Sequence, residues 1–324
     1  MSLASSTKLL WGSSKAYCRL DCDANWAVSG SWANSPRPNG VAVAYSPATS
    51  VIRNSRRCWT KGAAGARPDG GTNATRFVTL PDRHAHLWWV RPERFTDPAE
   101  LARCRAVLTD DERDKTDRFR FARDRHRGLI TRALVRTTLS RYHDVPPDRW
   151  RFRANGHGRP EIAAPASPLR FNLSHTNGLV VCLVSRGRAV GVDVENLERA
   201  GRWVDLADRY LAPRETAALR RVNAAGQPLR FLEYWTLKES YGKARGLGLA
   251  IPLADFFFEL PAGTPDDIAI RFTPAIDDDA ARWQFGLARI GRDHLVATAI
   301  ERHAGAPVQL TLREAMGPLI RACP

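Results

Sequence analysis

The spacing of hydrophobic positions changes along the chain, and the changes predict its elements. His86–Leu87–Trp88–Trp89–Val90 is a compact apolar run bounded by polar residues and reads as a strand. Thr109, with Glu112 three residues on, forms a capping box that opens a helix or helix pair running to about Tyr142. Ile130, Ala133, Leu134 and Leu139 give that helix an apolar stripe, with Arg132, Arg136 and Arg141 assigned to its other faces. A Pro/Gly-rich stretch through Gly158–Arg159–Pro160 follows, then three short strands near Arg170–Leu173, Leu179–Val184 and Ala189–Glu195. A second helical block starts near Asp205, with a fresh start at Pro213, a favoured first-turn residue. A further helix spans about Leu229–Arg245 and stops at Gly246. Strands return at Phe256–Glu259, Ile268–Phe272, Trp283–Arg289 and His294–Ile300.

This order predicts an α+β protein made of two similar halves, 84–196 and 197–302. Residues 303–324 read as an irregular tail or a loosely docked segment. Residues 1–83 are rich in Ser, Ala, Gly, Asn and Arg without a sustained period, and read as a largely disordered or non-native extension.

Charge adds a constraint on partners. The 324-residue chain carries a net charge of +15. The excess is not confined to one tail, since residues 1–83 hold 11 Lys/Arg against 4 Asp/Glu and the rest hold 38 against 30. Such a chain favours anionic partners: nucleic acid, an acidic protein or a polyphosphate ligand. Cys18 and Cys22 form a C-x3-C pair, but no second Cys/His pair follows at zinc-finger spacing. Cys182, inside the apolar run Leu179–Val184, reads as a buried strand thiol. Scattered cysteines and the lack of any apolar run of membrane length predict a cytoplasmic protein.

Three motifs carry candidate chemistry. In Gly191-Val192-Asp193-Val194-Glu195, period two puts both acids on one face of a strand. Adjacent carboxylates suit a hard divalent cation, or a polar strand face that meets only water. In Trp235-Thr236-Leu237-Lys238-Glu239-Ser240-Tyr241-Gly242-Lys243, Glu239 and Lys243 lie one helical turn apart. They are either a surface ion pair, or a metal ligand or base beside a phosphate-steadying ammonium. Phe171-Asn172-Leu173-Ser174-His175 ends a strand with groups suited to phosphate oxygens. Ser174 and His175 point to opposite faces, which argues against a nucleophile–base pair.

Taken in order, these motifs resemble those of the surfactin-type 4′-phosphopantetheinyl transferases. That family pairs a G-[IV]-D-[IV]-E strand with a W-[ST]-x-K-E-[AS]-[FY]-x-K helix some forty residues later. Upstream it carries a G-[KR]-P loop and F-N-[LI]-S-H, matched by Gly158–Pro160 and Phe171–His175, and a helical His-Arg pair matched by His126–Arg127. The likeness covers about residues 84–300.

The resemblance implies a pseudo-twofold pair of α/β halves. It implies Mg²⁺ held by Asp193, Glu195 and Glu239, and coenzyme A contacted by Lys115, Arg127, Gly158, Arg159, Pro160, Ser174 and His175. Glu239 and Lys243 are implied as catalytic, with Glu239 taking the acceptor serine's proton and Lys243 steadying the leaving phosphate. Glu112 stands where the family has another phosphate-side lysine. The implied reaction moves phosphopantetheine from coenzyme A to a serine of an apo acyl or peptidyl carrier protein, as holo-acyl-carrier-protein synthases do, and releases 3′,5′-ADP. Fatty-acid, polyketide and nonribosomal-peptide carriers are all candidate acceptors. A monomer that binds neither nucleic acid nor membrane is expected. The rival readings are a basic nucleic-acid-binding protein and an inactive homologue that only binds coenzyme A or a carrier.

Overall fold

The computed structural model describes residues 59–61, 77–198, 204–260 and 268–315. Expectations for Cys18, Cys22, Cys58, Cys323 and most of the 1–83 extension lie outside these residues. The chain runs β1 (Trp59–Lys61), β2 (His84–Val90), α1 (Pro98–Ala106), α2 (Asp110–Asp117), α3 (Ala122–Ser140), β3 (Arg151–Ala154) and β4 (Pro160–Ala164). Then follow β5 (Leu169–Thr176), β6 (Leu179–Arg186), β7 (Val190–Asn196), α4 (Ala207–Tyr210), α5 (Pro213–Arg220) and α6 (Gln227–Arg245). The last strands are β8 (Phe256–Glu259), β9 (Ala269–Phe272), β10 (Trp283–Ile290), β11 (His294–Glu301) and β12 (Gln309–Glu314).

The expected helix pair resolves into α2 and α3. Thr109 Oγ1 accepts from Glu112 N at 3.3 Å, and Glu112 Oε2 accepts from Thr109 N at 3.1 Å. This is the reciprocal cap that the spacing predicts.

A five-stranded sheet, ordered β1-β12-β2-β6-β5, carries α3. A three-stranded sheet, ordered β10-β11-β7, carries α6. Both helices have 19 residues. Each covers its own core: Ile130, Leu134 and Leu139 pack with Trp150 and Phe171 under α3. Leu237 and Tyr241 pack with Phe256 and Trp283 under α6. A third core, including Leu87, Leu183, Val192 and Val296, fills the space between the two sheets. Two lobes, each a helix on a sheet, are thus present.

Residues 309–314 depart from the expected irregular or loosely docked tail. Gln309–Glu314 forms β12, parallel to β2 and inserted between β1 and β2. Leu310 buries its side chain in the inter-sheet core, and the alternation Gln309-Leu310-Thr311-Leu312 is a strand signal missed in the sequence. Strand β7, counted with the first half by chain order, pairs with β11 in the second sheet.

Arg132 and Arg136 also depart from expectation, because both are buried at 1% exposure. Arg136 donates through Nε to Glu112 Oε2 at 2.9 Å, and through Nη1 to the carbonyls of Pro147 (2.8 Å) and Trp150 (3.0 Å). A guanidinium with this many partners can be sequestered where an unpaired charge could not. The same contact accounts for Glu112, whose carboxylate joins the helix cap to Arg136.

Candidate active site

The two lobes meet where β5 lies beside β7. Side chains of β5 stand in for a missing backbone ladder there. Asn172 Oδ1 accepts from Val192 N at 2.8 Å, and Ser174 Oγ accepts from Val194 N at 3.3 Å. Period two explains why both residues of the Asn-x-Ser motif face the seam. The motif's distance in sequence from β7 hid this role for Asn172.

Strand β7 presents Asp193 and Glu195 on the face opposite Val192 and Val194, which are buried in the inter-sheet core. Asp193 is 5% exposed. Its Oδ1 accepts from Ser174 Oγ at 2.9 Å and from Lys243 Nζ at 2.6 Å. Lys243 also donates to Ser174 Oγ at 3.1 Å. Glu239 and Lys243 share one face of α6, as the one-turn spacing requires.

The opposite face of α6 is anchored. Tyr241 donates from its hydroxyl to Asp278 Oδ2 at 2.7 Å, and Arg245 Nη1 donates to the same oxygen at 2.6 Å. Asp278 carries no family motif, so this brace was invisible in the sequence.

Glu239 keeps a partly exposed residue surface, but its Oε1 is sealed from solvent and has no hydrogen-bond partner; the same holds for Asp193 Oδ2. Burial, opposed by Lys243 and reinforced by Asp193 and Glu195, pushes the Glu239 carboxyl up to about 8. Burial and the two neighbouring acids disfavour a further negative charge on Glu239 unless a cation joins it. In the present rotamers, no three His, Cys, Asp or Glu side chains among the described residues form a ready-made metal cage; Lys243 meets Asp193 directly. The donor chemistry nonetheless fits a hard divalent cation: carboxylate oxygens only, with one on β7 and one on α6 orphaned and buried. Mg²⁺ binds through few carboxylates and keeps several waters, so it needs no complete protein cage.

Cations gather on the first-lobe side. Burial drives the His175 imidazole down to about 3, with the fields of Arg127, Lys243 and Arg132 acting in the same direction. Arg127, on α3, donates to Asp124 Oδ1 at 2.7 Å. Arg132 folds back to Gly128 O at 3.2 Å and joins this cluster, which the reading of α3 as amphipathic had assigned to an outer face. Lys115 stands exposed on α2. Gly158, with φ of 88°, turns the loop between β3 and β4 and leads into Pro160 at the start of β4. Arg159 points inward, donating to the carbonyls of Ala244, Phe171 and Val190.

Comparison with known proteins gives this site its context. The family model of the 4′-phosphopantetheinyl transferase superfamily matches residues 189–299. That of the 4′-phosphopantetheinyl transferase N-terminal region matches residues 96–187. The division between them falls just before β7, where the sheet pairing changes lobe. A phosphopantetheinyl transferase of Thraustochytrium sp. is 33% identical over 259 residues, covering 75% of this chain and 88% of that protein. The 4′-phosphopantetheinyl transferase HetI of Nostoc sp. is 34% identical, over 53% of this chain and 73% of its own. The transferase Sfp of Bacillus subtilis is 29% identical, over 54% and 76%. The two family models and the Thraustochytrium relative define the class as a transferase of this kind. The chain belongs to the phosphopantetheinyl transferase family.

Among the described residues, no helix is long and apolar enough to cross a membrane.

Proposed function

We propose that the protein transfers the 4′-phosphopantetheine moiety of coenzyme A to a serine of an apo acyl or peptidyl carrier protein, with Mg²⁺, and releases 3′,5′-ADP. The observation that carries this reading is the convergence of Asp193 from β7 with Lys243 from α6 at 2.6 Å, with Glu239 one turn from Lys243 on the same helix.

Coenzyme A brings roughly four negative charges near neutral pH, which bar an incoming hydroxyl. Asp193, Glu195 and Glu239 would hold Mg²⁺, which when bound offsets the charge of the pyrophosphate. Arg127 and His175, with Ser174 and the exposed Lys115, would orient the phosphates and the adenosine end, while the Gly158–Pro160 loop lines the adenine. Glu239 takes the proton of the carrier serine, directly or through a water. The serine oxygen forms a bond to the β-phosphorus as the bond between that phosphorus and the bridging oxygen breaks. The electron pair leaves on the α-phosphate of 3′,5′-ADP, where Lys243 stabilises it. The net positive charge of the chain suits acidic carrier partners. A cytoplasmic monomer goes with this reading, because the seam lies within one chain.

Incubation with apo-carrier proteins of the fatty-acid, polyketide and nonribosomal-peptide classes, coenzyme A and Mg²⁺ tests this by mass spectrometry. One phosphopantetheine per acceptor is expected. No adduct on any carrier, or full activity of Asp193→Ala, would overturn it.

A further inference from the structure

The loop between β3 and β4 grips the last turn of α6. Asn155 closes the loop, its Oδ1 accepting from His157 N at 2.9 Å and Arg159 N at 3.0 Å, and its Nδ2 donates to Gly246 O at 3.0 Å. Arg159 is 7% exposed. Its guanidinium reaches Ala244 O at 2.9 Å, Val190 O at 3.2 Å and Phe171 O at 3.4 Å. These three carbonyls belong to α6, β7 and β5. The same elements carry Glu239 and Lys243, Asp193 and Glu195, and Ser174 and His175 respectively.

The fit on the helix side is close. The last carbonyls of a helix carry partial negative charge and lack intrahelical partners, so a guanidinium and an amide there complete the helix end. Gly246 caps α6 with φ of 73°, and a β-carbon on it would come within 3.1 Å of Asn155 Nδ2. A guanidinium buried against three carbonyls is turned away from a phosphate ligand.

We propose that Asn155 and Arg159 are positioning residues: a clasp that sets the spacing of α6 over the β5–β7 seam. Arg159 then acts on the reaction through Glu239 and Lys243. This rests on the roles given to those two residues above. Gly158 and Pro160 are left as the part of this loop that would line the adenine, while the Asn155 and Arg159 side chains are taken up by backbone carbonyls.

Arg159→Lys is the sharp probe, because an ammonium cannot span three carbonyls as a planar fork does. Asn155→Ala opens the other half of the clasp from a half-buried side chain, and serves should the Arg159 variant fail to fold. The measurements are kcat and KM for transfer to a carrier protein, the dissociation constant of coenzyme A by calorimetry, and the melting temperature. Each variant is expected to lower kcat about tenfold or more, while the coenzyme A dissociation constant stays within about twofold. The double variant is expected to lose less than the product of the single losses, because the two contacts serve one clasp. Coenzyme A affinity about tenfold weaker with kcat retained would make Arg159 a phosphate ligand and overturn the proposal. Unchanged kcat in both variants would overturn it too. Glu239→Gln assayed alongside separates the failures: a fully active Glu239→Gln removes the roles the clasp serves, whereas an inactive one beside unaffected clasp variants removes the clasp alone.

Discussion

Gly191 of β7 and Ser240 of α6 meet backbone to backbone: a β-carbon built on Gly191 would lie 1.9 Å from Ser240 O and 2.4 Å from Ala244 N. The first residue of the acidic strand motif is therefore a matter of space. Its missing side chain lets the helix rest directly on the strand, which brings Lys243 to Asp193.

Gly191→Ala is expected to force α6 away from β7. Overpacking against backbone costs about 1–3 kcal/mol or more, since no side chain can rotate aside. A helix displaced by about 1 Å loses roughly 100-fold in rate. Thermal melting and transfer rate check both; a variant with parent activity would show that the close approach is dispensable.

Glu239→Gln is expected to reduce transfer by about 10²–10⁴, the usual worth of a positioned base. The melting temperature without metal should hold or rise, because the neutral amide avoids the charge that burial and two neighbouring acids disfavour there. Mg²⁺ should raise the parent's melting temperature, by about 2.7 kcal/mol of added stability at a hundredfold excess over its dissociation constant. The variant should respond less. An equal response would remove Glu239 from the ion's ligands.

Lys238, next to Glu239 in sequence, faces the other way. Its ammonium meets Glu215 Oε2 at 2.8 Å with both side chains at 0% exposure. It also donates to Leu253 O (2.7 Å) and Phe256 O (2.6 Å). Lys238→Met strands the Glu215 carboxylate and is expected to cost about 3–5 kcal/mol in denaturant unfolding. Lys238→Met with Glu215→Gln should recover part of that loss. A single variant within about 1 kcal/mol of the parent would show that the pair is not needed for stability.

His86 links stability to pH. Trp88 Nε1 can only donate, so the Tyr142 hydroxyl accepts from it, and the same hydroxyl shares a hydrogen bond of 2.8 Å with His86 Nδ1. Burial holds His86 at about 3 against an ordinary 6.5, and Arg313 and His84 act in the same direction. Between these values the unfolded chain binds a proton that the folded chain refuses. The stability is therefore fully present above about 6.5 and is lost as pH falls, by about 1.4 kcal/mol per pH unit for this group. His86→Gln should flatten the fall between pH 6 and 4 by about that slope. Parallel unfolding curves for parent and variant would refute the assignment.

The local elements were legible because each is a short-range matter. The Thr109–Glu112 cap, the stop at Gly246 and the period-two placement of Asp193 and Glu195 depend on residues a few positions apart. The same holds for the one-turn pairing of Glu239 with Lys243. The ordered motifs also carried the family. What stayed hidden involved pairs far apart in the chain. Arg136 looked solvent-facing until Glu112 and two distant carbonyls surrounded it. What Gln309–Glu314 pairs with was not legible locally, because its partner strand β2 lies more than two hundred residues earlier.

The sequence alone determined which side chains are available at the seam, because helix and strand periodicity dictate which residues share a face. Only the tertiary structure decided which partners those faces meet: Asn172 and Ser174 bonding the backbone of β7, Asp278 bracing α6, and Arg159 turned onto three carbonyls. The physical reason is that burying a polar group requires a partner at hydrogen-bond distance, and packing, rather than local spacing, chooses that partner.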